Sequence, residues 1–91
     1  MSEISREVMI RNKLGLHARA ATKLVQLANQ FSADVTISQG SQEVNANSVM
    51  ALMLLASQQG KTIIVNARGE DAEAALDAIE GLIQARFEEE E

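Results

Sequence analysis

Residues 33–56 read ADVTISQGSQEVNANSVMALMLLA, a stretch that holds a strand, a turn, a second strand and a helix. Val35 and Ile37 alternate with Asp34, Thr36 and Ser38, the period-two pattern of a strand with one buried face. Gln39-Gly40 offers a hairpin turn, and QEVNA (42–46) returns as a short strand. NSVMALMLLA (47–56) is too apolar for a surface loop, and Asn47 or Ser48 is placed to cap it as a short helix.

The flanking segments extend this pattern in both directions. Ile4, Val8 and Ile10 alternate with Glu3, Ser5, Glu7 and Met9 as a first strand, and Arg6 interrupts its apolar face as a residue near a sheet edge would. From Ala18 to about Gln30 the period changes: Ala21, Leu24, Val25 and Ala28 fall at i, i+3, i+4 and i+7, with Leu27 and Phe31 beside the stripe. Gly60 precedes KTIIVNA (61–67), a β-branched strand. After Gly69, EDAEAALDAIEGLIQARF carries Ala72, Ala75, Leu76, Ile79, Leu82 and Ile83 at helical spacing. Its acids Glu70, Asp71 and Glu73 lie at the positive end of the helix dipole. Glu88 to Glu91 form a like-charge tail expected to fray.

The order is therefore β-α-β-β-α-β-α. It predicts an α+β fold, one four-stranded antiparallel sheet with three helices on one face, as a single domain over residues 1–91. Only Phe31 and Phe87 are aromatic, so the core is expected to be Leu, Ile, Val, Met and Ala. With no Cys, the chain has no disulfide framework, thiol nucleophile or zinc-thiolate site. A net charge of −5 argues against a nucleic-acid binder. No apolar run approaches a membrane span, and Met1 to Ile10 lacks the layout of a signal peptide.

One histidine stands out. LGLHARAAT (14–22) places His17 just before the first helix, after Gly15 and before Arg19. The first N–H groups of a helix lack intrahelical partners, and the dipole adds positive potential there. Such a terminus favours a phosphoryl group carried on the ring, with the imidazole as its nucleophile. Gly15 permits a tight backbone approach, and Arg19 can offer a phosphoryl oxygen two donors. The alternative is that His17 merely caps the helix and Arg19 is a solvated cation. An arginine in the first turn has the wrong sign for the dipole, so stability alone would not choose it.

LGLHARAAT, the amphipathic helix that follows it, the element order and NANSVM at the second helix together resemble the HPr family, the histidine phosphocarriers of the phosphoenolpyruvate-dependent phosphotransferase system. The resemblance runs from about Glu3 to about Phe87. It implies an open-faced β-sandwich in which His17 receives a phosphoryl group from enzyme I through Nδ1 and passes it to a IIA domain, with Arg19 as an adjustable arginine that meets the phosphoryl group. The family usually has proline after that arginine, where this chain has Ala20. Alanine is also a good helix former and keeps an amide donor, so nucleophile and arginine stay in place. The stretch NANSVMALMLLASQQG looks more like the nitrogen-related phosphocarriers than the sugar-transport ones, on a few residues only.

Ser48 reads as an N-cap. By resemblance it also matches a serine that a kinase phosphorylates in some members, although Asn47 replaces the lysine often found before it. A short helix cannot bury Val49, Met50, Leu52, Met53, Leu54 and Leu55 together against one sheet. Val49, Met50 and Met53 are therefore expected to form, with Leu16, an exposed docking patch beside His17. Methionine suits a surface that fits several partners in turn. Arg11, Lys13, Arg19 and Lys23, half of the eight basic residues, lie close together and either steer the chain toward acidic partners or are scattered on a solvated face.

The expected protein is a cytoplasmic, monomeric phosphocarrier and not an enzyme, with no cofactor, no metal, no nucleic acid and no membrane insertion. Its expected partners are enzyme I, a IIA domain and regulatory proteins. The rival is a regulatory binding module that grips its partner through the second-helix patch and leaves His17 idle.

Overall fold

The computed structural model describes residues 3–55 and 58–88. Its elements are β1 (Glu3–Met9), α1 (Ala18–Ala28), β2 (Asp34–Gln39), β3 (Gln42–Asn45), α2 (Val49–Leu54), β4 (Thr62–Arg68) and α3 (Ala72–Gln84), followed by a short turn of 3-10 type (Arg86–Glu88). The expected order is found. The strands form one antiparallel sheet in the order β1-β4-β2-β3.

Register aligns the apolar positions across the sheet. Val8 stands opposite Ile63, Ile37 opposite both Val65 and Val44, and Val35 opposite Ala67. Because side chains alternate in a strand, these residues share the face on which the helices pack. Arg6 occupies that face of β1, an edge strand, and donates from Nη1 to Asp77 at 2.6 Å and Glu80 at 2.9 Å on α3. Among the described residues the opposite face carries no helix and is closed by polar contacts that run across all four strands. Ser5 Oγ donates to Asn66 Oδ1 at 2.6 Å, Asn66 Nδ2 donates to Ser38 Oγ at 3.1 Å, and Thr36 Oγ1 donates to Glu43 Oε2 at 2.8 Å.

Between sheet and helices lies one apolar cluster in which Ile10, Leu24, Ile37, Leu52, Ile63, Leu76, Ile79, Ile83 and Phe87 are fully buried. The composition reading is corrected in two respects. Phe87 is a core residue, and the three described methionines are not: Met9, Met50 and Met53 are 48%, 74% and 44% exposed. A six-residue helix cannot cover both of its sides, and the branched residues Leu52 and Leu55 take the core positions.

The last helix also ends before its expected limit at Phe87. It stops at Gln84, and Arg86, Phe87 and Glu88 take φ values of 57°, 54° and 67°. Left-handed backbone costs about 1–2 kcal/mol per non-glycine residue. A continued helix would carry Phe87 about 6 Å beyond Ile83 along the axis, whereas the left-handed turn returns the ring to the core. Glu88, expected in a frayed tail, instead accepts from Lys23 Nζ at 3.1 Å, and residues 89–91 of that tail lie outside the described residues.

Asp71 departs from the expected dipole role as well. Its carboxylate makes no capping bond within α3 and accepts the amides of Ser32 at 2.9 Å and Ala33 at 2.8 Å. Those bonds, that of Ser32 first, hold its carboxyl below the ordinary aspartate value. The same junction requires Gly69, where a Cβ would come within 2.9 Å of the Ala33 Cα.

Candidate functional site

The approach to α1 is built from the backbone outward. Beyond β1, Ile10 still pairs with the strand region opposite: its amide donates to Lys61 O at 2.9 Å, and its carbonyl accepts from Gly60 N at 2.8 Å. Buried Ile10 anchors the start of the loop and buried Leu16 its end. Between them Asn12 to Gly15 form a turn closed by Gly15 N donating to Asn12 O at 3.2 Å. Gly15 takes φ of 66°, which a glycine adopts without the strain other residues meet.

His17 is the N-cap residue of α1, with extended backbone, and its carbonyl accepts the first intrahelical bond from Ala21 N at 2.8 Å. Its side chain makes no capping bond, so the reading of His17 as a simple cap side chain fails. The ring is half-buried, and Nδ1 lies 3.0 Å from the Gly15 carbonyl oxygen. A carbonyl only accepts, so this contact is a hydrogen bond when Nδ1 carries the ring proton. The first turn of α1 holds no acid, and the amides of Ala18, Arg19 and Ala20 precede the first intrahelical bond. Arg19 is exposed in that turn, and Ala20 is fully buried. The amides, the imidazole and exposed Arg19 thus belong to the first turn at one helix end, from which they can stabilise a phosphoryl group on the ring.

Asn12 was absent from the sequence reading of the site. It is completely buried and donates from Nδ2 to the Gly15 carbonyl at 2.8 Å, the same oxygen that faces His17 Nδ1. The signal was present as an Asn three residues before a Gly, the ends of a common β-turn.

Ser48 is the N-cap of α2, its Oγ accepting from Ala51 N at 3.1 Å. Helix α2 packs against α1 and β3. Of the expected docking patch, Met50 and Met53 are exposed and Val49 is half-buried against the core. Leu16 is a correction: at 4% exposure it belongs to the core, because it carries the loop into α1. Two exposed residues missed by periodicity, Leu14 at 66% and Leu54 at 75%, stand where apolar side chains meet solvent. Lys23 is drawn away to the Phe87 carbonyl and Glu88, leaving Arg11, Lys13 and Arg19 as the exposed bases of that group. Among the described residues, no group of three or more His, Cys, Asp or Glu side chains could hold a metal ion.

Comparison with known proteins bears on the same site. A family profile described as "PTS HPr component phosphorylation site" matches residues 4–85. The chain belongs to the HPr family. Its role is that of a phosphocarrier of the phosphotransferase system. The phosphocarrier protein NPr of Shewanella violacea is 53% identical, over 98% of each chain. The phosphocarrier protein HPr of Xylella fastidiosa is 46% identical over 94% of this chain and 97% of its own. Among solved structures, an HPr from Thermoanaerobacter tengcongensis superposes with a TM-score of 0.89 at 40% identity, over the whole of both chains. The HPr of Bacillus anthracis does so at 0.88 and 39%, covering 92% of this chain and 100% of that one. The open-faced HPr sandwich expected from the sequence is therefore the fold of this protein.

Proposed function

We propose that the chain, as a single HPr-type domain, carries its phosphoryl group on His17, taking it from enzyme I and giving it to a IIA domain in the cytoplasm. The observation that carries this reading is the half-buried imidazole at the start of α1, in the same first turn as exposed Arg19 and the amides that precede the first intrahelical bond. In the transfer step a ring-nitrogen lone pair forms an N–P bond while the bond from phosphorus to the donor atom breaks, its electron pair staying on the donor. The other ring nitrogen holds the proton. Arg19 and the helix amides balance the phosphoryl charge without neutralising it by a proton, so the group stays transferable. The chain supplies a positioned nucleophile and a docking face; the partners supply the rest, and in that sense it is a carrier and not an enzyme.

Docking is assigned to Met50, Met53, Leu54 and Leu14, with Val49 at the margin, a short-lived interface of flexible side chains. Ser48 is assigned as the cap of α2 within that face. A phosphate there would set negative charge among docking residues and weaken transfer. The relative named NPr, at 53% identity, favours the nitrogen-related branch, whose acceptor is a regulatory IIA protein and not a sugar permease.

The test is intact mass after incubation with phosphoenolpyruvate and enzyme I, beside His17→Ala. A single acid-labile phosphoryl gain in the parent and none in the variant is the expected result. A gain retained by His17→Ala moves the acceptor elsewhere, and no gain in the parent makes the binding-module reading the leading one.

A further inference from the structure

The Gly15 carbonyl oxygen is faced by three nitrogens: Asn12 Nδ2 at 2.8 Å and the His17 amide at 2.9 Å, which donate to it, and His17 Nδ1 at 3.0 Å. Two of these belong to the histidine itself. The third comes from a side chain with no exposed surface, in a turn between two buried anchors, Ile10 and Leu16. Buried polar groups hold their geometry well, because releasing them leaves donors and acceptors unsatisfied away from water.

We infer that Asn12 is a positioning residue for His17: by fixing the Gly15 carbonyl it keeps the ring proton on Nδ1 in the resting carrier. This rests on the reading of His17 as the phosphoryl acceptor. A protonated Nδ1 facing a carbonyl has no lone pair to give to phosphorus. Attack from Nδ1 then requires the proton to pass from Nδ1 to water, a second proton to be taken up at Nε2, and the ring to turn off the carbonyl. The Nδ1 lone pair can then form the N–P bond. Asn12 stays on Gly15 through this change, so the carbonyl keeps a donor when the ring leaves. Asn12 and Gly15 thereby make a latch on the nucleophile, released when a partner docks.

Two-bond 1H–15N spectra of His17, above the pH at which its ring protonates, read the tautomer directly. The parent is expected to hold its proton predominantly on Nδ1, and Asn12→Ala to shift toward the Nε2–H form with an otherwise native amide spectrum. Where the alanine variant fails to fold, Asn12→Leu fills the buried site without offering a donor and is expected to give the same shift. A parent with its proton mainly on Nε2 overturns the inference without any variant. So does a folded variant whose tautomer is unchanged, or one in which the Nδ1–H form increases, since Asn12 would then compete with the ring instead of positioning its acceptor. The mass test of the acceptor is separate: its failure removes the role of His17 in transfer and leaves the tautomer result to be read by itself.

Discussion

Lys23, in the middle of α1, donates from Nζ to the main-chain oxygen of Phe87 at 2.8 Å. The bond ties the helix capped by His17 to the left-handed turn that seats Phe87 in the core. The candidate site and the chain's largest buried side chain are thus mechanically joined through α1.

Phe87→Ala is expected to lower unfolding stability by about 3–5 kcal/mol, the usual cost of emptying a buried aromatic site. In a small domain this is a large part of the total. Denaturant titration checks it, and a loss below about 1 kcal/mol would mean that the ring lies outside the core.

Two substitutions separate core from docking face. Leu16→Ala should cost about 2–5 kcal/mol of stability, because the residue is buried. Met50→Glu, on an exposed position, should leave melting nearly unchanged and weaken binding to enzyme I by about tenfold or more, since a hot-spot loss of about 2 kcal/mol exceeds the roughly 1.4 kcal/mol of a tenfold change. Calorimetry and titration of the two variants give opposite profiles if the assignment holds.

Arg19→Ala should slow phosphoryl acceptance on the order of a hundredfold, the scale for losing one donor to developing charge. Its stability should stay within about 0.5 kcal/mol of the parent, as for an exposed surface position. Single-turnover kinetics with phosphorylated enzyme I decide, and equal rates would remove Arg19 from the mechanism.

Asp71 gives a pH signature. Its folded-state pKa is depressed, chiefly by the Ser32 amide, so the carboxylate stabilises the fold above the unfolded aspartate value, about pH 4, and that contribution is lost as pH falls through the folded value. Asp71→Asn should therefore be less stable than the parent at neutral pH, with the difference narrowing below about pH 4. A difference constant from neutral to acid would show that the charge of Asp71 does not contribute.

Much of this protein was legible in its sequence because local rules and tertiary structure agree. Alternation in Val35 and Ile37, the glycine of the hairpin, the Ser48 cap and the stripe from Ala21 to Ala28 each answer to short-range geometry, and together they determined element order and sheet face. His17 and Arg19 were legible because a lone imidazole before a helix and a cation of the wrong sign in its first turn need an explanation beyond stability. Tertiary structure alone decided the rest. Which leucine of a short apolar helix is buried depends on its rotation against α1 and β3, so Leu52 and Leu55 went inward and Leu54 outward. Phe87 reached the core by leaving the helical path, a choice made by contacts with residues more than sixty positions away, as in the bond from Lys23. The burial of Asn12 against the Gly15 carbonyl that faces His17 Nδ1 was likewise decided in three dimensions, because the turn is held between Ile10 and Leu16, both buried in the core.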